Sequence, residues 1–404
     1  MLAFATDLYD EGLDTVLGNV QERAGVEGLT MAVAYHEARD LFPHNTVHKV
    51  RYLEGGVNFF WPDESCYEGL QLQPRVAELA QTADPLGDLC AAAGERGMTV
   101  NAWAVFLHVD RLGFTYPECT TQNVFGDRYI TDLCPSNPEV RAYARALASD
   151  LARYEVSTIL AESLHFHSLH HGYHHERYFE ELGAIGTYLL GLCFCSHCFS
   201  AARRIGVDVE MVHRSARNEL ERRFAYGRGS EGSEELTREG LEVFGGEQLL
   251  RYIDARIETV TSLAAEVSVA AGASTNVAFL DLSGAEKGFA TGHPKGDAAP
   301  MTGWQMGVDV TALAEVCDTI AATGYAADPD RLTFDLEAYC RLLADASQLG
   351  LVLRPMPPDC RSADNLTAKV ALARERGLKH IDFYHYGFCR LRSLDWIRRS
   401  LTPK

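Results

Sequence analysis

The sequence has no excess of positive charge. It carries 37 Lys and Arg against 56 Asp and Glu, for a net charge of -19. That balance argues against nucleic acid or an anionic membrane surface as the partner, because both demand basic patches. No apolar run approaches the ~20 residues that span a bilayer. The opening residues, Met1-Leu-Ala-Phe-Ala-Thr-Asp7, lack a basic stretch and a long apolar core, so they read as a strand and not as a signal peptide. No G-x-G-x-x-G turn follows that first strand, which leaves a dinucleotide site poorly supported. There is no short-period internal repeat. The cysteines do not form an even-numbered disulfide framework: there are eleven, without a secretion signal, which fits a reducing cytoplasm. A cytoplasmic location is therefore expected. What is present is ordinary for a soluble globular enzyme, with 47% hydrophobic and 23% charged residues in 404. A neutral ligand such as a sugar is compatible with the charge.

Strand-like apolar runs alternate with helical stretches from end to end. Strands are expected at residues 2–8, 29–35, 98–106, 156–161, 276–282, 316–323, 351–354 and 379–384, with extra strand or loop at 49–60. Helices are expected at 13–24, 85–96, 138–154, 335–349 and 366–376, and around Trp396. The helix at 138–154 is the best marked, with Asn137 as its cap, Pro138 at its first position and Glu139 in its first turn. Eight strands separated by helices predict parallel β/α units closed into a (β/α)8 TIM barrel, an α/β fold with long βα loops. A doubly wound sheet is the second choice. The polar break at 227–233 is short enough for a loop tip, so one barrel domain over 1–404 is expected, with a zinc-knuckle and helical insertion at about 163–268.

The segment Cys193-Phe-Cys195-Ser-His197-Cys198 places three thiols in a C-x-C-x-x-C spacing. A tight loop can aim all three at one point, and a tetrahedral Zn2+ site needs a fourth ligand from elsewhere in the chain. The competing reading is three buried, reduced cysteines.

In a (β/α)8 barrel, functional groups gather at the C-terminal strand ends. That rule gives Asp7 and Tyr9, His36 and Glu37, Trp103, His108 and Asp110, Glu162, Asp281, Tyr325 and Asp328, Arg354 and Asp359, and Asp382, Tyr384, His385 and Tyr386. Such polar density above apolar strands suits a hydroxyl-rich ligand. The run 165–176 holds six histidines. Within it His165 and His167 alternate and share a face of an extended segment, able to bond sugar hydroxyls or to bind a second metal with Glu162 or Glu176. Trp61, Trp103, Trp304, Tyr384 and Tyr386 are candidates for a stacking floor, and Arg354 for orienting a carboxylate or an anionic substituent. The Gly/Pro-rich stretch from Ser283 to Trp304 is long enough to be a lid.

A strand ending in Glu162, followed by the Cys193–Cys198 knuckle, resembles the catalytic barrel of family 42 β-galactosidases and related glycoside-hydrolase-like barrels. In that family a fourth zinc cysteine precedes a proline before the helix leading into strand 4. The resemblance therefore implies Cys134, in Leu133-Cys134-Pro135-Ser136-Asn137-Pro138, as the partner of Cys193, Cys195 and Cys198 around a structural Zn2+. It likewise implies Glu162 as general acid/base. The match is specific over residues 98–200. The sequence departs from the family at two points. Ala161 stands where the family has asparagine, and strand 7 ends Leu353-Arg354-Pro355-Met356-Pro357-Pro358-Asp359 without the nucleophilic glutamate. A retaining mechanism thus does not carry over intact.

The main expectation is a glycosidase of this type. Glu162 would be the acid, and Asp281, at the end of strand 5, the second carboxylate facing it across the barrel mouth. Asp359 and Asp328 stand in reserve. His36, Glu37, Trp103, His108, His165, His167, Arg354, Tyr384 and His385 are the expected substrate contacts, and the partner is a small carbohydrate. A second expectation is a metal-dependent sugar isomerase, epimerase or aldolase with His165, His167, Glu162 and Asp281 around a divalent ion. A third is a carbohydrate-binding barrel without chemistry. A homo-oligomer is compatible with the sequence.

Overall fold

The computed structural model describes residues 1–170, 176–227 and 234–402. Eight parallel strands, numbered here in chain order, form the central sheet: β1 Leu2–Phe4, β2 Gly28–Tyr35, β3 Thr99–Val105, β4 Thr158–Glu162, β5 Asn276–Asp281, β6 Thr319–Thr323, β7 Leu349–Leu353 and β8 His380–Phe383. Each pairs in parallel with the next, for example Val105 beside Glu162 and Asp281 beside Ala322. Tyr386 N–H donates to Leu2 O at 2.8 Å and brings the chain after β8 back to β1. The fold is the expected (β/α)8 TIM barrel. β7, the unbroken apolar run Leu349-Gly-Leu-Val-Leu353, is buried on both faces, because helices cover the outside and side chains fill the inside.

Several elements differ from expectation for local reasons. The first strand stops at Phe4, and Ala5–Glu11 is helical. The Asp7 carboxylate accepts Phe4 N–H at 2.9 Å, which satisfies an amide at that helix's start. Asp7 therefore lies in a helix and not at a strand end. The helix expected at 335–349 is Pro329–Leu342, with Asp328 accepting Asp330 N–H as its cap and Pro329 in its first turn. Asp328 is thus a capping residue. β7 begins two residues early, so Arg354 follows the strand instead of ending it.

Two antiparallel hairpins rise from the barrel: Ala38–Leu41 with Val50–Leu53 after β2, and Thr120–Gln122 with Arg128–Leu133 after β3. Between β4 and β5 lie the helices Gly183–Gly191, Ser196–Arg204, Val209–Tyr226 and Arg238–Ala271. No single helix among the described residues is long and apolar enough to cross a membrane.

Candidate active site and four-cysteine metal site

Residues from all eight strands or the loops that follow them line one cavity of about 650 Å3. Glu162, at the end of β4, opens onto it. Trp103 of β3 is 1% exposed and is clamped between Phe4, stacked at 6.0 Å, and Tyr35, edge-on at 4.8 Å. The fixed indole donates Nε1–H to Glu162 Oε2 at 2.5 Å. Burial pushes the Glu162 carboxyl up to about 7, against the opposing effects of the Trp103 donor and the nearby His108. A carboxyl with this pKa holds a proton over much of the neutral range, as a general acid must. The next residue, Ser163, has φ of 55°, a left-handed conformation that non-glycine residues rarely adopt.

Two further carboxylates border the cavity. Asp40 comes from the hairpin after β2, and burial pushes its pKa up to about 6. Glu286 comes from the short helix Ser283–Gly288 after β5. Its placement follows from two glycines. A Cβ at Gly284 would stand 2.1 Å from Thr323 O, and one at Gly288 2.0 Å from Tyr325 O. The helix therefore lies flush against the end of β6 on its glycine face, and Glu286, half a turn away, points elsewhere. Solvent reaches Glu286, yet the protein packed around it still raises its pKa by desolvation. Ser168 Oγ–H donates to it at 3.4 Å. Aromatic rings form much of the remaining wall: Tyr35, Phe289, Tyr325, Tyr384 and Phe388.

Of the expected contact residues, His36, Trp103, Arg354 and Tyr384 meet at this cavity beside Glu162. Arg354 is committed to Asp359 through Nε and Nη2, at 2.5 and 2.7 Å, and lies 4.1 Å from the centre of the Tyr325 ring. It therefore braces the wall with its charge already matched, and Asp359 is spent in the same pair. Asp281 does not face Glu162. Leu280 and Leu282 line the cavity, so by strand alternation Asp281 turns to the helical layer. There it is 0% exposed and accepts from Tyr339 Oη–H at 2.5 Å and Ser283 Oγ–H at 2.6 Å. Glu37 is exposed and does not line the cavity. His385 is 0% exposed, packed 4.1 Å from the Phe4 ring, and burial lowers its pKa. Trp61, Trp304 and Tyr386 are likewise absent from the cavity wall, which leaves Trp103 and Tyr384 from the expected stacking floor.

His108, His165 and His167 gather beside the cavity instead of lining it. His108 Nδ1 and His167 Nδ1 stand 3.2 and 3.0 Å from Asp132 Oδ1, and the His165 ring is 5.0 Å from His167. His171, His174 and His175 lie outside the described residues. Asp132, Glu286 and Asp40 were not singled out in the sequence. Asp132 sits in a hairpin and Asp40 in another, where a strand-end rule does not look. Glu286 falls within the stretch expected as a lid, and its glycine flanks are the signal that fixes it.

Cys134 does join the knuckle. Its Sγ lies 3.9 Å from Cys193, 3.6 Å from Cys195 and 3.6 Å from Cys198. Four metal–sulfur bonds of about 2.3 Å in a tetrahedron give sulfur separations of about 3.8 Å. All four thiols are buried, and the amides of Gln122 and Cys198 donate to Cys193 and Cys195 sulfurs at 3.3 and 3.5 Å. The donor set fits a metal ion, tying the end of Arg128–Leu133 to the start of Ser196–Arg204.

No protein-family model matches the chain, and no curated protein sequence matches it. Solved structures do. The catalytic domain of β-amylase from Paenibacillus polymyxa aligns with a TM-score of 0.54 at 10% identity, over 100% of this chain and 98% of that one. A β-galactosidase from Bacillus circulans sp. alkalophilus gives 0.53 at 14% identity, over 95% of this chain and 49% of that one. Alpha-L-fucosidase isoenzyme 2 from Paenibacillus thiaminolyticus gives 0.52 at 11% identity, over 97% and 46%. The chain spans about half the length of the last two. At these identities the likeness is one of fold.

Proposed function

We propose that the chain is a glycoside hydrolase acting on a small carbohydrate, with Glu162 as general acid and Glu286 as the second carboxylate. The observation that carries this reading is Glu162 itself. It stands at a strand end on an aromatic-walled cavity, with a carboxyl raised to about 7 by burial. Glu162 would protonate the glycosidic oxygen as the bond breaks. Glu286, exposed to solvent, would activate water or attack the anomeric carbon. Trp103 holds the acid in place, and the tyrosine-rich wall offers ring faces and hydroxyls to a sugar. The similarity to a β-amylase, a β-galactosidase and a fucosidase supports a carbohydrate substrate. Zn2+ is the ion we assign to Cys134, Cys193, Cys195 and Cys198, in a structural role, since a closed four-thiolate set leaves no open position. Reduced thiols in that number suit the cytoplasm.

The test is hydrolysis of a panel of aryl glycosides. Glu162→Gln should reduce kcat/KM for the active substrate by about 10²–10⁴-fold, with an unchanged circular dichroism spectrum. Glu286→Gln should lower it as well, and azide should restore turnover to that variant. A fully active Glu162→Gln protein would refute the assignment. Sugar binding without turnover across the panel would favour a binding barrel. The isomerase or aldolase reading has less support, because His165, His167, Glu162 and Asp281 do not converge among the described residues.

A further inference from the structure

We propose that His108, Asp132 and His167 form a second metal centre, separate from the four cysteines, for a divalent first-row transition ion with open coordination positions. One nitrogen of each imidazole and one carboxylate oxygen lie within 4.8 Å of one another. The two histidines turn the same atom, Nδ1, to the same oxygen, Asp132 Oδ1, at 3.2 and 3.0 Å. With metal–ligand bonds of about 2.1 Å, neighbouring donors in an octahedron stand about 3.0 Å apart, and in a tetrahedron about 3.4 Å. Both observed separations fall at these edges. The other carboxylate oxygen, Asp132 Oδ2, accepts from Thr131 Oγ1–H at 3.2 Å, which fixes the carboxylate's orientation. The mutual closeness of all three donor atoms, one from each residue, is what a shared ion requires.

The backbone fixes this arrangement before any ion arrives. His108 and Asp132 are directly opposite in an antiparallel bridge, framed by Val109 N–H to Thr131 O at 3.0 Å and Leu133 N–H to Leu107 O at 2.9 Å. In such a pair the side chains rise close together on one face. His167 is held by its neighbour, whose amide donates to Met306 O at 3.1 Å. A cavity of about 240 Å3 has Asp132 and His167 in its wall, together with Tyr129, Glu176 and Tyr178. It leaves an open side on which water or a polar ligand can complete the ion's shell. His165 adds an independent sign. It is 1% exposed, its Nδ1 lies 2.7 Å from Phe166 O, and its Nε2 has no hydrogen-bond partner among the described residues. A buried ring nitrogen in that state calls for water or ligand nearby. Two imidazoles and one carboxylate suit Zn2+, Fe2+ or Co2+.

The experiment needs no substrate, so it stands or falls apart from the hydrolase reading. The full chain is dialysed against dipicolinate, then titrated with Co2+ and, separately, Zn2+, with bound metal counted by mass spectrometry. Two ions per chain are expected. The second Co2+ should add weak visible bands without the intense near-ultraviolet thiolate bands of the cysteine site. Asp132→Asn and His167→Gln should each weaken the second ion by about 100-fold or more, while leaving the thiolate-bound ion and the circular dichroism spectrum unchanged. Cys134→Ser should do the reverse. Saturation of the wild-type chain at one ion that carries the thiolate bands would overturn the proposal, whatever the variants do. So would two ions retained at unaltered affinity in a folded Asp132→Asn protein.

Discussion

Trp103 Nε1–H bonds the ionised form of Glu162 more strongly than the protonated form, so it works against the burial that raises the carboxyl to about 7. A general acid must be protonated, so kcat/KM should fall as pH rises through that value. Trp103→Phe keeps an aromatic ring but removes the donor. The basic limb of the pH profile should therefore move upward, by about one unit for the loss of a hydrogen bond to a charged group. A profile measured on one aryl glycoside checks both the direction and the size. An unmoved limb would mean that another group sets it. Asp7 gives a second residue-level case, in stability. It is 0% exposed, takes Phe4 N–H on Oδ2, and has no hydrogen-bond partner on Oδ1 among the described residues. Burial pushes its pKa up to about 8 from the ordinary 3.8. Between these values the folded chain holds a proton that the unfolded chain has released. Stability therefore falls as pH rises across the window, by at most about 1.4 kcal/mol per unit. Asp7→Asn can still accept from Phe4 and has no charge to bury. Its Tm should match wild type near pH 4 and exceed it increasingly up to pH 8.

At the scale of elements, the four-cysteine site joins pieces of chain that secondary structure leaves apart. The end of Arg128–Leu133 and the knuckle before Ser196–Arg204 are separated by some sixty residues, and Cys134 spans them. Cys134→Ser should remove that ion from the purified protein and lower Tm steeply, since a structural Zn2+ contributes folding free energy directly. Calorimetry with metal analysis tests this, and an unchanged Tm would reduce the site to a cluster of buried thiols. The knuckle was legible because its three cysteines are local, and Cys134 because the resemblance supplied it. Asp281 was misplaced for a reason the alternation of a strand makes plain: a one-residue shift in register reverses the face, and apolar residues on both faces of a parallel strand hide which way each points. Glu286 escaped because only the approach of Gly284 and Gly288 to the β6 backbone, a contact between distant segments, aims it at the cavity.

For the whole molecule, the barrel was legible because eight apolar runs with helices between them leave few alternatives. The cavity was not, because it draws residues from all eight strands or the loops after them. Composition does fix one global property. A chain with 19 more acidic than basic side chains repels itself, and folding brings those charges closer together. Added salt shortens the reach of that repulsion from about 30 Å at 0.01 M to about 8 Å at 0.15 M. The same salt weakens surface pairs such as Arg23–Asp395 and Arg399–Asp364, whose partners are exposed. Each such pair contributes only about 0–1 kcal/mol. The relief of repulsion, on the order of a few kcal/mol for an excess of this size, acts on the entire surface and should win. Tm should therefore rise between 0.01 and 0.15 M NaCl at pH 7.5, and the rise should shrink as pH approaches the isoelectric point near 5.2. A Tm that falls with salt at pH 7.5 would show that the ion pairs outweigh the net charge.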